Sequence, residues 1–600
     1  MKCNYCGNEI QETDLKCSFC GTPAGETAPK AESVPSGQGG SDNMAAAGQT
    51  APAPQKKKPA GKIAAIVLAA AVVAGGGIFA ATRLLEKDPK EVVISAFENI
   101  YTEDQVKPME ELFGLSKFQE NAASSQEAEM RFVMRGCSDG DVAQLAGGGI
   151  KVGTQYDKEN KKGAGNLTLL YSGMDLANLN FYYGDETLMV SVPELSGKVF
   201  TLDLSEGLAE RIKNSPTLGP ILQYSDVNME DMETFYREYT GWIQEKLEDG
   251  TAADPYGIGA ALERYRKGCK AQEDFKEALT VEKAEKDTFE IDGKEVSCRG
   301  YEVNISKDSM ISFLRTSSDF FLEDEELREN FLEYLQMSLR MLELAGNDLD
   351  GSSLYGMSAQ EMLDKNYEEI KKSADEAIDL LDGVMNDVDM LVYVDKKGRL
   401  VSVDGDTSLT DEGDTIKIKF DLLLHGGSYL TQNAEGELEI SPKNEDDAVA
   451  IKMTKHGDYD GKSLFGDISF EIRGGGEAIA IDFGGDYDSD DGDFTLSAEA
   501  SSSGEKVIGF SAKGAVSELE KGSVIHVDFD EVKVDVPDED NFFISFDGDY
   551  DLRPLSDEVE ELEGEKLDVI QATEKDWQNV GMEMYMGILD LASQLGSLGN

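Results

Sequence analysis

At 600 residues the chain is too long for one ordinary core, and a composition of 40% hydrophobic and 8% aromatic residues with only 15 prolines excludes a disordered one. The formal net charge is −62, and it is unevenly spread: residues 1–87 carry nine basic and seven acidic side chains, whereas the rest of the chain holds 47 basic and 111 acidic ones. Such a field repels phosphate backbones, which excludes nucleic acid as a partner of the acidic part and leaves a charge-solubilised surface as its plain reading, with cations or cationic partners the permitted opposites.

The chain opens on two knuckles, Cys3-Asn4-Tyr5-Cys6-Gly7 and Cys17-Ser18-Phe19-Cys20-Gly21. Two residues between cysteines let both thiolates face one ion, and Cys3, Cys6, Cys17 and Cys20 together complete a tetrahedral Zn2+ shell with no position left for water, so the expected zinc is structural. Residues 1–24 thus read as a zinc ribbon. The Ala-, Pro-, Gly- and Ser-rich stretch 25–62 reads as a linker. Ile63 to Thr82 are twenty consecutive uncharged positions, enough at ~1.5 Å per residue to cross a ~30 Å hydrocarbon layer, which predicts a transmembrane helix over 63–83. Lys56, Lys57, Lys58 and Lys62 precede it and place the N-terminus in the cytosol, leaving residues 88–600 extracytoplasmic in a single-pass membrane protein. The small residues of the span also permit a homodimer through it.

Beyond residue 88 the predicted body runs to 556. A short helix over Glu91–Tyr101 leads into a strand meander as far as Leu204, in which Leu167, Leu169 and Tyr171 alternate with polar neighbours and Gly184-Asp185 makes a turn. Helical inserts are expected near 206–283, where Met232, Phe235, Tyr239, Trp242 and Ile243 repeat at helical spacing, and near 307–384, where Ser358 and Glu361 form a capping box and Gly383 a C-terminal cap. From Met390 to about Leu552 strands return, with Thr415–Leu422 and Asp467–Arg473 alternating cleanly. Residues 557–600 form a final, largely helical segment. The expected fold class is α+β: a large curved, half-barrel-like antiparallel sheet covered by helices, with the zinc ribbon and one transmembrane helix added.

The first 85 residues resemble the zinc-ribbon single-pass membrane proteins of Gram-positive, clostridial-type bacteria, a resemblance carried by Cys3, Cys6, Cys17 and Cys20 that implies structural zinc and a cytosolic head. The body resembles the LolA and LppX lipoprotein carriers, through its leading helix, its meander, its helical inserts and the hairpin Leu391–Leu400. That resemblance implies a site for a lipid or other apolar molecule beneath the sheet. The function expected is therefore an extracytoplasmic binding or scaffold module whose partners are the membrane and a lipid or envelope protein, and not an enzyme; the alternative is an envelope hydrolase working through acidic residues.

Remaining motifs are weaker. Gly-Asp-Tyr-Asp occurs at 457–460, 485–488 and 548–551, and these acidic turns leave calcium binding open. The richest, Asp486–Asp493, departs from an EF-hand loop in the place of its glycine and in having Ser497 where the bidentate Glu belongs. His425, His456 and His526 belong to no metal or triad motif, and Ser503 with Lys506 forms a bare Ser-x-x-Lys within a hairpin turn. Cys137, Cys269 and Cys298 leave one thiol unpaired at least, with Cys269–Cys298 the nearer pair in sequence.

Overall fold

A computed structural model describes residues 88–598 apart from 102–106, 122–123, 223–227, 249–253, 345–356, 412, 443–447 and 538–540. After helices α1 (Pro89–Glu98), α2 (Lys107–Phe113) and α3 (Leu115–Asn121) come strands β1 (Gln126–Cys137), β2 (Gly149–Asp157), β3 (Lys162–Tyr171), β4 (Met174–Gly184), β5 (Thr187–Ser191) and β6 (Lys198–Asp203). The first helical insert is α4 (Leu208–Lys213), α5 (Leu218–Leu222), α6 (Met229–Glu248), α7 (Ile258–Gly268) and α8 (Lys270–Ala278); β7 (Thr280–Ile291) and β8 (Lys294–Ile305) lead to α9 (Lys307–Leu322), α10 (Glu325–Leu344) and α11 (Ala359–Val384). Then follow β9 (Val388–Val394), β10 (Leu400–Asp411), β11 (Asp414–Gly426), β12 (Asn433–Ser441), β13 (Val449–Tyr459) and β14 (Ser463–Gly474). The chain continues with β15 (Glu477–Asp488), β16 (Asp493–Ser502), β17 (Glu505–Glu520), β18 (Val524–Val536) and β19 (Phe542–Pro554), and ends with β20 (Glu565–Asp568) and α12 (Glu574–Leu598).

All twenty described strands belong to one sheet. Two meanders, β1–β6 and β7–β19, are joined edge to edge where β1 pairs with β19, and β20 adds to β6 in the one parallel pairing among the described strands. The open edges are therefore β7 and β20. Register is pinned by two-residue turns at Ser172-Gly173, Asp185-Glu186, Asp292-Gly293, Gly475-Gly476 and Ser503-Gly504, where both residues take positive φ, the geometry whose twist matches that of antiparallel strands. The β4–β5 turn lies one residue later than the Gly184-Asp185 expected, because Gly184 still pairs with Thr187.

At one end β8–β12 bury their apolar face against α1 and α9. Val93 and Ala96 of α1 and Met310 of α9 meet Tyr301, Val303, Val392, Val403 and Leu424, all nearly inaccessible to water. At the other end, Leu208 and Ile212 of α4 and Tyr236 of α6 cover Leu188 and Leu202, and Trp577 of α12 stacks on Phe200 with ring centres 6.1 Å apart. The capping box forms at Ser358 and Glu361, but α11 runs through Gly383 to Val384 and closes at Met385.

The expected fold class needs correction. Among the described residues no helix is long and apolar enough to cross a membrane, and no group of three or more His, Cys, Asp or Glu side chains is placed to hold a metal ion. The zinc ribbon and transmembrane helix, and with them the zinc-binding and membrane assignments, thus find no counterpart in the structure, which is a large, mostly antiparallel sheet with helices. Residues 1–24, 25–62 and 63–83 lie outside the described residues. Nor is the sheet covered throughout: helices bury its two ends, α2 covers one margin of the middle strands around Tyr459, Tyr487 and Phe494, and the rest of the middle is bare.

The join between the meanders depends on close backbone approach. A Cβ on Gly548 of β19 would lie 2.0 Å from the Arg131 carbonyl oxygen and 2.7 Å from the Phe132 ring on β1. Gly548→Ala is expected to cost about 1–3 kcal/mol, the range for overpacking. A lowered urea midpoint, with amide exchange rising in β1 and β19 ahead of β9–β11, is the signature; unchanged protection in β1 contradicts it.

Candidate functional site

Alternation along each strand and the observed register place apolar side chains of successive strands directly opposite one another on one face. Phe470 of β14 faces Ile481 of β15, which faces Ala500 of β16, which faces Ile508 of β17; the neighbouring row runs Ile468, Phe483, Ala498, Phe510 and on to Val534 of β18. Across the β1–β19 join the same face continues through Phe546 and Phe132 to Ile150, Leu169, Leu167 and Leu179. Many of these side chains are exposed, Phe483 and Leu169 at 47% and Ile508 at 44% among them, and the rest are half-buried. The opposite face carries Asp467, Ser469, Glu471 and Arg473 on β14 alone, with Arg473 paired to Glu471 at 2.7 Å.

Burying a large apolar side chain contributes roughly 1.5–3 kcal/mol, so a face of this extent left to water forfeits stability. Contiguous apolar patches beyond a few hundred Å² are rare on monomeric proteins and mark binding surfaces. The face is also grooved. Along β16, Ala498 and Ala500 stand between Phe483 and Ile481 on one side and Phe510 and Ile508 on the other, so small side chains floor a trough walled by large ones.

Helices bridge the two covered ends on this same face. Helix α9 meets α11 through Ile311, Ile378, Leu381 and the 2.8 Å Arg315–Asp379 pair; α11 meets α10 through Arg328–Asp364; α10 meets α6 through Trp242–Tyr334 rings 6.4 Å apart and the 3.2 Å Arg340–Glu238 pair. Helix α6 in turn sits with α4 on the β4–β6 end. Sheet and helices thereby form a closed ring of contacting elements around the bare strands.

Where α6 passes over the β2–β3 hairpin it leaves a half-open, mainly apolar cavity of about 290 Å³ lined by Tyr156, Gly163, Tyr183, Thr240, Ile243 and Gln244 together with Lys158, Lys161 and Lys162. Tyr156, Gly163 and Tyr183 are opposite one another in register, so the cavity floor is the last row of the apolar face.

The residues singled out in the sequence fall elsewhere. Cys3, Cys6, Cys17 and Cys20 lie outside the described residues. Cys137, Cys269 and Cys298 are buried free thiols, so Cys269 and Cys298 do not bridge. They belong to different apolar clusters, one beneath α7 and one beneath the β7–β8 hairpin. Burial, helped by Asp395, pushes the Cys298 thiol up to about 11. The Gly-Asp-Tyr-Asp repeats are strand ends and strand interiors: Tyr459 and Tyr487 pack against Leu112 and Phe113 of α2, while Asp460 accepts backbone N–H groups of Lys462 and Ser463. Lys506 is held by Asp535 at 3.0 Å and Glu499 at 3.3 Å, not by Ser503. What sequence reading missed is that the apolar face of the alternating strands, expected to be covered by the helices, stays exposed at runs such as Ile479, Ile481 and Phe483, whose cover the sequence does not state.

His526 is the one histidine in a defined charge cluster among the described residues. Its Nδ1 lies 2.8 Å from Asp551 and its Nε2 3.4 Å from Asp528, and Asp551 also binds Arg553. The hydrogen bond to Asp551, with Asp528 alongside, holds the imidazole above its ordinary value. No protein-family model matches the chain, and no curated protein matches it.

Two outcomes follow. Because the His526 pKa is raised on folding, its stabilisation is fully present below the unfolded value of about 6.5 and is lost as pH rises through the folded value. His526→Gln should therefore cost about 0.5–1 kcal/mol near pH 6 and progressively less towards about pH 9; thermal melts at both pH values test this, and a pH-independent cost contradicts it. Differential alkylation read peptide by peptide should leave Cys137, Cys269 and Cys298 unmodified in the native protein; native labelling of Cys298 at its unfolded rate contradicts the burial.

Proposed function

We propose that the protein is a binding module that holds a long apolar chain, of the acyl type, against the bare strands of its sheet. The observation that carries this reading is the apolar face between β13 and β4, exposed although both of its ends are sealed by helices. A face meant only for structure is covered along its whole length by the elements that cover its ends. The trough at Ala498 and Ala500 of β16, closed at one end by Leu496 on the same face, supports an apolar occupant as wide as one hydrocarbon chain. The ring of helices supports retention, because a molecule on the bare strands lies inside it. The resemblance of the body to lipoprotein carriers points the same way.

Phe483 and Phe510 are about half exposed and wall the trough, so they contribute little to the core and much to the site. Purified full-length protein, extracted with organic solvent and analysed by mass spectrometry, should yield acyl-chain compounds in reproducible ratio to protein. Phe483→Ser with Phe510→Ser should lower that ratio about tenfold while unfolding free energy falls by no more than about 1–2 kcal/mol. A reproducibly empty protein, or one whose bare face is closed by dimerisation through β14–β17, contradicts the proposal.

A further inference from the structure

Lys455 of β13 stands on the apolar face, in a row of otherwise apolar side chains. In register it lies opposite Ala434 of β12 and Ile468 of β14, and the row continues through Phe483, Ala498 and Phe510. The neighbouring carboxylates Glu435 and Asp467 sit opposite Thr454 and His456, and so belong to the other face. Among the described residues the Lys455 ammonium accordingly meets no carboxylate, and Nζ lies 5.2 Å from the centre of the Tyr429 ring. Burial alone holds it below its ordinary pKa. With 111 acidic against 47 basic side chains beyond residue 87, acids are not scarce; the alternation of the strands keeps them away. A half-buried ammonium costs stability unless something pairs with it.

Beside Lys455 the same face carries a strip without side chains. Gly457, two positions along β13, is opposite Gly466 of β14, which is opposite Gly485 of β15. A Cβ on Gly466 would meet nothing nearer than the His456 carbonyl oxygen at 3.9 Å, so the strip is sunken between its neighbours. Ile468 and Phe483 wall this furrow on the Lys455 side, and Leu464 and Tyr487, under α2, on the other. At β13 it ends beneath Gln432, and at β16 against Leu496, whose Cδ2 would lie 3.0 Å from a Cβ on Gly485. Gln432 and Tyr429 both belong to the β11–β12 connection, which Leu430 anchors in the buried core of β8–β12.

Resting on the proposed apolar-chain function, we infer that Lys455 pairs with the carboxylate of a single-chain fatty acid, whose first carbons lie in the glycine furrow and whose tail continues past Phe483 into the trough of β16. An ion pair on an apolar, half-buried surface is weakened by water and salt less than one on the open surface. From β13 to β16 is about 14 Å at ~4.8 Å per strand, and Ala498 to Ala500 adds about 7 Å along β16, the scale of an extended long-chain fatty acid. A neutral amphiphile gains the tail contacts alone, a short carboxylate the ammonium alone. The acidic excess of the remaining surface discourages anions elsewhere, so the charge contact decides which end of the chain lies at β13.

Laurate, dodecanol and acetate are compared by isothermal calorimetry on delipidated full-length protein near neutral pH. Laurate is expected to bind at least about tenfold more tightly than dodecanol, with acetate weaker than both. Lys455→Met keeps the length and apolar packing of the side chain and removes its charge. It should bring laurate and dodecanol to within about twofold of each other, by weakening laurate alone. Lys452→Met, on the opposite face, should keep the native preference. Gly466→Leu, which fills the furrow, should weaken laurate by at least about tenfold; each variant is checked for an unchanged thermal midpoint. If laurate and dodecanol bind the native protein equally, or Lys455→Met keeps the preference, the inference is overturned while the apolar-chain function stands. A preference lost as fully in Lys452→Met is a general charge effect, and acetate binding as tightly as laurate marks a free-carboxylate site; either result also overturns it. If neither amphiphile binds, the proposed function itself fails and takes the inference with it.

Discussion

Everything in this molecule depends on one unbroken ladder of strand pairings. Because side chains alternate with a period of two, continuous pairing from β13 to β4 brings the apolar half-strands of both meanders onto one shared face, while at the β4–β6 end Tyr182, Met189 and Val199 form a second buried cluster on the other. The β1–β19 pairing joins the two meanders into one sheet. Joined, they make a face broader than the helices can bury. The backbone contact at Gly548 is thus a precondition of the bare surface as well as of the fold.

Charge and apolarity are divided accordingly. The acidic excess lies on the wet face and in the turns, where Asp460 ties down a hairpin and Lys462 reaches Asp490 at 2.6 Å. It keeps a protein with an exposed apolar face from associating through its other side. Lys455 is an exception on the apolar face itself, stacked over Tyr429 at 5.2 Å and held below its ordinary pKa by burial.

Much of the local structure was legible in the sequence. Alternation in Asp467–Arg473 and in Thr415–Leu422 identified strands β14 and β11, and the capping box at Ser358 marked the start of α11. The long-range arrangement was not legible, because strand pairing across more than 400 residues, as between β1 and β19, leaves no local trace. The Gly-Asp-Tyr-Asp repeats show why motif reading overreached. They look like cation loops, but Gly548 permits a tight backbone crossing and Tyr459 and Tyr487 fill the gap beneath α2. The cavity was hidden for a similar reason: in sequence, Tyr156 to Gly163 form an ordinary hairpin, and a cavity arises there only because α6 lies over it from about eighty residues away.

The most direct measurement is photocrosslinking with a diazirine-bearing fatty acid, followed by peptide mapping of the adducts on the full-length protein. Occupancy of the bare face places adducts on β14–β17 and β2–β4, at side chains such as Ile481, Phe510 and Leu167, and leaves the covered strands β8–β10 unlabelled. Adducts spread evenly over both faces, or confined to the buried clusters under α1, would contradict it.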